Sequence, residues 1–152
     1  MHSLDLRAAL FAKHAQHVVL IHFPIALFIA GVVFDFLSQS TKRRALAEVA
    51  YYNLLGAAIS ALPVLATGLL AWQFQLEGQE LKGVLLMHLV LGFSSTILIW
   101  IAWGLHVRSR GERRELQRTL PIFRLGLETL AVFIVGLTGH LGGFLSGVNG
   151  SG

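Results

Sequence analysis

Apolar residues in this chain fall into four long runs separated by polar connections. None of the runs alternates polar and apolar positions as a half-buried strand would, and each approaches the ~20 residues that a helix needs to cross a membrane. Continuous runs of this length predict helices, which satisfy their own backbone hydrogen bonds in lipid. We therefore expect an all-α integral membrane protein with four transmembrane helices in an antiparallel bundle. The predicted helices cover residues 18–37, 51–72, 83–105 and 125–145.

Composition supports this class. Of the 152 residues, 55% are hydrophobic and only 13% are charged, against about 25% charged in a soluble domain. The whole chain, 1–152, is expected to form a single transmembrane domain without a cleavable signal peptide. Leu4, Ala8 and Phe11 lie at helical spacing, which predicts a short interfacial helix over residues 3–14. The absence of cysteine excludes disulfides, c-type haem attachment, iron–sulfur clusters and thiolate metal sites.

Basic residues are distributed unevenly between the two sides of the predicted bundle. Nine of the 12 lysines and arginines follow the first and third helices or open the fourth. They are Lys42, Arg43, Arg44, Arg108, Arg110, Arg113, Arg114, Arg118 and Arg124. By the positive-inside rule this side faces the cytoplasm. We expect a multi-pass protein of the bacterial inner membrane with both termini outside, and basic connections that contact anionic lipid rather than nucleic acid.

Three histidines lie inside the predicted helices at one common depth. His22, His88 and His140 belong to helices one, three and four, each on the order of 6–8 Å below the outer boundary. Neutral imidazole binds iron, copper, zinc and nickel, so matched depth favours a shared ligand, either a haem iron or a metal ion. The alternative is hydrogen bonding between helices, which contributes about 0.6 kcal/mol per bond.

Glycines accompany these histidines on the same helix faces. Gly92 lies four residues after His88, and Gly136 and Gly143 flank His140. Missing side chains at this spacing leave flat space beside an imidazole, as a porphyrin requires. Small residues also line close helix crossings in membranes, so tight packing is the alternative interpretation.

The role of His17 depends on where the first helix begins. On a continuous helix His17 and His22 point ~140° apart and cannot bind the same small ion. A helix that begins near Phe23 and Pro24 would remove this restriction. His17 is therefore expected to cap the site, to bond a haem propionate or to serve a second site.

Other ionisable residues are expected to be structural. Asp35 lies at the end of the first helix, where an exposed position is predicted. Glu128 lies one turn after Arg124, which predicts an i,i+4 ion pair. His106 closes the third helix beside Arg108 and is expected in the head-group zone. No catalytic residue is predicted.

Four segments of the chain carry a family resemblance. They are "HVVLIHFPIALFIAGVVFDFL", "ALPVLATGLLAW", "LKGVLLMHLVLG" and "LTGHLGGFLSGVNG". Together they resemble the four-helix membrane family named domain of unknown function 2231 (DUF2231), over nearly the whole chain. The most specific elements are the histidine pair His17 and His22 and the motif at residues 138–143. Val18 departs from the proline that is typical after the first histidine. The resemblance implies a membrane partner of redox proteins, because family members occur beside or fused to cytochrome-like domains.

These observations predict a b-type cytochrome-like subunit. One bis-histidine haem would lie near the periplasmic face, with His88 and His140 as the first expected pair of axial ligands. The subunit would relay electrons between a periplasmic partner such as a cytochrome c and quinone or a partner subunit, without being an enzyme itself. One alternative is a copper or zinc site formed by His22, His88 and His140 with His17. Another is a structural anchor within a larger complex.

Overall fold

The computed structural model describes residues 13–75, 78, 80–111 and 120–145. Within these ranges the protein has four helices and no strand. Helix α1 spans Lys13–Thr41, α2 spans Arg44–Gln75, α3 spans Gly83–Gly111 and α4 spans Leu120–Leu145. The prediction of an all-helical protein with four helices is confirmed. Residues 3–12 of the predicted interfacial helix lie outside the described residues, and residues 13 and 14 belong to α1.

Each helix contains a stretch long and apolar enough to cross a membrane, with mean hydropathy between 1.6 and 2.3. The helices are longer than the apolar runs, at 29, 32, 29 and 26 residues. The difference has a physical reason. An apolar run measures the thickness of the hydrocarbon core, whereas polar residues continue the same helix beyond it.

Helix α1 passes through Pro24 without a break. Pro24 lies in the twelfth position of this helix, so the hypothesis that the helix begins near Phe23 is wrong. The proline removes one backbone donor and leaves the carbonyl of Leu20 without its usual helical partner. Consequently His17 and His22 belong to one continuous helix and point in different directions.

Small side chains dominate the buried core. Six of the buried hydrophobic residues are alanines, at positions 50, 57, 58, 61, 102 and 131. Phe28, Leu54 and Ile99 fill the space between them. At Gly31 a Cβ atom would lie 2.8 Å from the side chain of Leu54, so only glycine permits this approach of α1 to α2. Large apolar side chains face outward instead, as in a protein that meets lipid.

The contacts between helices define two ends of the bundle. At one end His17 of α1 bonds Thr67 of α2, and His88 of α3 bonds Thr138 of α4. We call this the histidine end. At the other end Arg124 of α4 pairs with Asp35 of α1, and Arg110 of α3 pairs with Glu48 of α2. We call this the basic end, because it adjoins the connection with Lys42, Arg43 and Arg44.

Candidate functional site

A cavity of about 450 Å³ lies at the histidine end among all four helices. Its volume is within the ~300–1,000 Å³ typical of small-molecule sites. Most of its lining is apolar, and the ionisable side chains that the described residues contribute to its wall are three histidines, His17, His22 and His88. The structure therefore brings His22 and His88 to one cavity and adds His17 to them.

Hydrogen bonds fix the proton on two of these imidazoles. The Nδ1 atom of His22 lies 2.7 Å from the carbonyl oxygen of Val18, and Nδ1 of His88 lies 3.1 Å from the carbonyl oxygen of Thr138. A carbonyl oxygen only accepts hydrogen bonds, so Nδ1 carries the hydrogen in both rings. In a neutral imidazole the lone pair then lies on Nε2, the arrangement found in metal-binding histidines whose other nitrogen donates to the protein.

His17 has the same tautomer through a different partner. Its Nδ1 atom lies 3.0 Å from Oγ1 of Thr67. That hydroxyl donates its single hydrogen to the carbonyl oxygen of Val64 at 3.0 Å, so it accepts the hydrogen bond from His17. Each of the three cavity histidines therefore presents Nε2 as its lone-pair atom when the ring is neutral.

Glycines shape the cavity wall in two ways. A Cβ atom at Gly142 would lie 3.0 Å from Cε1 of His88, and one at Gly68 would lie 3.1 Å from Cε1 of His17. These two glycines give the rings room to pack on the neighbouring helix. Gly92 lines the cavity, and a Cβ atom there would meet only open space. Gly68 had no signal in the sequence, because its partner is 51 residues away in the chain.

The remaining residues of the predicted site divide between the cavity and the outer surface. Gly143 lines the cavity. Gly136 and His140 are exposed, and the ring of His140 packs edge-on against Phe144 with centroids 4.9 Å apart. The cavity wall includes His88 but not His140. The expected axial pair therefore does not share this cavity, since matched depth does not specify which way a residue faces around its helix.

The histidines of the cavity do not form a compact ion site. Among the described residues, the group whose three ligand atoms all lie within 4.8 Å of one another is Asp35, His106 and Glu128. Three ligands of one zinc or copper ion lie about 2.0–2.2 Å from the metal, and the cavity histidines, as placed, are not such a three-residue group.

A buried cluster of charged residues lies at the basic end. Nε2 of His106 is 2.8 Å from Oε1 of Glu128 and 3.7 Å from Oδ2 of Asp35. Both carboxylates are 0% exposed and His106 is 5% exposed. The expectation of an exposed Asp35 is therefore wrong, and His106, which was expected in the head-group zone, is buried inside the bundle. By spacing alone, this buried Asp/His/Glu group could hold a metal ion.

Arg124 connects the two carboxylates of this cluster. Its Nη2 and Nε atoms donate to Oδ1 and Oδ2 of Asp35 at 2.7 and 3.0 Å. Its Nε atom also lies 3.8 Å from Oε1 of Glu128, which confirms the expected i,i+4 pair. Ser38 donates to Oδ1 of Asp35 at 3.3 Å, and Ser109 accepts a long hydrogen bond from Arg124. We call Asp35, His106, Arg124 and Glu128 the ionic cluster.

The sequence indicates the ionic cluster through the position of its residues along the helices, although the spacing between them along the chain does not. Asp35 and Arg124 are 89 residues apart, and His106 and Glu128 are 22 apart. All four residues, however, belong to the basic ends of three apolar segments. Ionisable residues at a common level on different helices indicate contact, because each would otherwise remain unpaired near lipid.

Comparisons with known proteins agree with this architecture. The family model described as "Predicted membrane protein (DUF2231)" matches residues 13–152. No curated protein and no solved structure matches the chain. The matched region includes all four helices, the cavity histidines and the ionic cluster. The chain therefore belongs to the DUF2231 family of predicted membrane proteins.

Proposed function

We propose that the protein is a b-type cytochrome-like membrane subunit with one haem in the cavity at the histidine end. The observation that carries this proposal is the shared tautomer of the cavity histidines. In both His22 and His88, Nδ1–H donates to a backbone carbonyl. The Nε2 atom of each ring then retains a lone pair with which it would bind iron. His88 of α3 would be one of the residues that hold the iron, together with His22 or His17 of α1.

The walls of the cavity support a flat apolar group. The backbone face at Gly92 leaves open space, and Gly142 and Gly68 let the imidazole rings pack against helices rather than fill the centre. Hydrogen bonds from Nδ1 to fixed oxygens hold the rings in one orientation. When bound, a haem with two imidazole ligands supplies one-electron transfer and has no open position for oxygen chemistry.

The setting of the cavity suggests the electron partners and the orientation. We place the protein in the bacterial inner membrane as an antiparallel bundle with both termini outside, on the basis of the basic connections. The histidine end would then face the periplasm. A single haem at that level would exchange electrons with a cytochrome c on one side and with quinone or a partner subunit on the other. His17, His22 and His88 position this relay, and no substrate chemistry is assigned to them.

A reduced-minus-oxidised absorption spectrum of the purified protein, expressed with haem supplied, tests this function. We expect a b-type band in the wild-type protein, its loss in His88→Ala, and its loss in either His22→Ala or His17→Ala. His140→Ala is the matched control and should keep the band, because its ring lies outside the cavity wall.

Two results would overturn the haem assignment. One is a haem-free wild-type protein that also fails to take up added haem, which would favour the structural anchor. The other is a band that persists in all three single variants at His17, His22 and His88. Stoichiometric copper or zinc that is lost with these variants would instead favour an ion site.

A further inference from the structure

The charges of the ionic cluster do not balance without an additional proton. Asp35 and Glu128 contribute two negative charges, and Arg124 contributes one positive charge, when His106 is neutral. The carboxylates are fully buried, where an uncompensated charge costs several kcal/mol. One proton added to the cluster makes its net charge zero.

Glu128 contains the atom that most clearly lacks a partner. Oε1 accepts from His106, but no hydrogen-bond partner among the described residues reaches the buried Oε2. A buried ionised oxygen without a hydrogen bond is costly, and protonation of the carboxyl group removes its negative charge. The short contact between Glu128 and His106 also lets a proton move between the two groups without a change of backbone.

A metal ion accounts less well for this arrangement. Arg124 already donates to both oxygens of Asp35 and lies beside Oε1 of Glu128. A divalent ion among these residues would face that guanidinium at close range, and like charges repel strongly at low dielectric. The cluster is one unit of positive charge short, and a proton supplies one unit.

A small crevice lies beside Arg124 of the cluster. It is lined by Leu105, Arg108, Ser109, Phe123 and Arg124 and has a volume of about 10 Å³, enough for roughly one water molecule. Ser109 and Arg124 belong both to the crevice and to the contacts of the cluster. A water molecule there would lie beside the hydrogen-bond network of the buried carboxylates.

We propose that the ionic cluster is a proton-binding site, which holds one exchangeable proton on the His106–Glu128 pair and receives it from water at the basic end. This site is separate from the cavity and does not depend on the haem assignment. Its polar neighbours are known from three helices. Helix α1 contributes Asp35 and Ser38, α3 contributes His106 and Ser109, and α4 contributes Arg124 and Glu128. The nearest charged pair that includes α2 is Glu48 with Arg110, one turn beyond His106.

Infrared spectroscopy of the protein in lipid nanodiscs, titrated from acid to alkaline pH, tests the proposal. We expect one titrating proton, visible as a carboxylic acid band of Glu128 or an imidazolium band of His106. Glu128→Gln should abolish this titration. Glu48→Gln is the matched control and should leave it unchanged, because Glu48 is exposed and lies outside the cluster.

A second variant tests the charge balance itself. Asp35→Asn removes one negative charge, so the cluster is already neutral without the extra proton. We expect the proton affinity to fall at least tenfold, which moves the titration midpoint to lower pH. An unchanged midpoint would overturn the proposal. It would also be overturned by the absence of a titrating band in the wild-type protein, or by a stoichiometric divalent ion that is lost in Glu128→Gln.

Discussion

The two ends of the bundle use the same residue type in opposite ways. At the histidine end three imidazoles line a cavity of about 450 Å³. At the basic end one imidazole lies between two carboxylates, beside a crevice of about 10 Å³. The first arrangement leaves room for a molecule that the chain does not supply. The second brings its polar partners together from within the chain.

His88 and His106 make this difference concrete, because both belong to α3. Nδ1 of His88 is bonded to a neutral carbonyl, so Nε2 remains a lone-pair atom on the cavity wall. Nε2 of His106 is hydrogen-bonded to the buried carboxylate of Glu128, so this nitrogen already has a partner within the chain. The hydrogen-bond partner of each ring, rather than its depth in the membrane, decides which ring nitrogen retains a lone pair.

The largest expected effect concerns the buried charges. Arg124→Ala leaves Asp35 buried without its cation, and we expect a loss of about 3–5 kcal/mol in the free energy of unfolding. Denaturant titration in detergent micelles measures this loss. Lys82→Ala removes an exposed pair with Glu80 at the histidine end and should cost less than about 1 kcal/mol. Equal losses in the two variants would show that the basic end does not depend on its ion pairs.

Filling the cavity should affect binding rather than folding. Gly92→Leu places a side chain into open space on the cavity wall. We expect haem affinity, followed by absorbance titration, to fall at least tenfold, which corresponds to about 1.4 kcal/mol. Gly104→Leu is the control, because Gly104 is exposed and also has open space at its Cβ position. Unaltered haem affinity in Gly92→Leu would place the ligand elsewhere.

A smaller effect is expected for the serine that supports the ionic cluster. Ser38 is buried and donates to the carbonyl oxygen and to Oδ1 of Asp35. Ser38→Ala should lower the free energy of unfolding by about 1 kcal/mol. Ser40 is exposed and donates to the carbonyl of Leu37, so Ser40→Ala should have no measurable effect in the same titration. The comparison fails if both variants behave alike.

The smallest effect is expected at the histidine end. Thr67→Val removes the hydroxyl that accepts from His17, and we expect a loss of about 0.6 kcal/mol, typical of a single interhelical hydrogen bond in a membrane. Thr129 is exposed and bonds the carbonyl of Leu125 in its own helix, so Thr129→Val serves as the control. A loss of several kcal/mol in Thr67→Val would mean that polar contacts at the histidine end contribute as much to the free energy of unfolding as those at the basic end.

Hydropathy alone predicted much of the fold. Four apolar runs gave four helices, and their order along the chain was correct. The helices were predicted too short, because polar residues extend α1 and α2 past the ends of the apolar runs. Pro24 misled the interpretation of α1. A proline inside a long helix costs one hydrogen bond, and the packing of the surrounding residues outweighed that cost.

The candidate site was predicted less completely. Depth in the membrane predicted one level for His22 and His88, and both side chains line the cavity. Depth did not distinguish His140, which faces away from the cavity, or include Gly68, which packs on His17 from α2. Rotation about the helix axis decides both cases, and it depends on which faces of neighbouring helices meet.

The sequence by itself determined that this protein crosses a membrane as helices, because about 20 consecutive apolar residues have few other stable states. It also indicated the family and predicted the levels at which polar residues lie. Only the tertiary structure decided which of these residues meet. Asp35 and Arg124 are 89 residues apart, and their contact exists because buried charges are costly unless helices pack so as to pair them. The open cavity has a different origin, since a Cβ atom at Gly92 would meet no other side chain within 4 Å among the described residues.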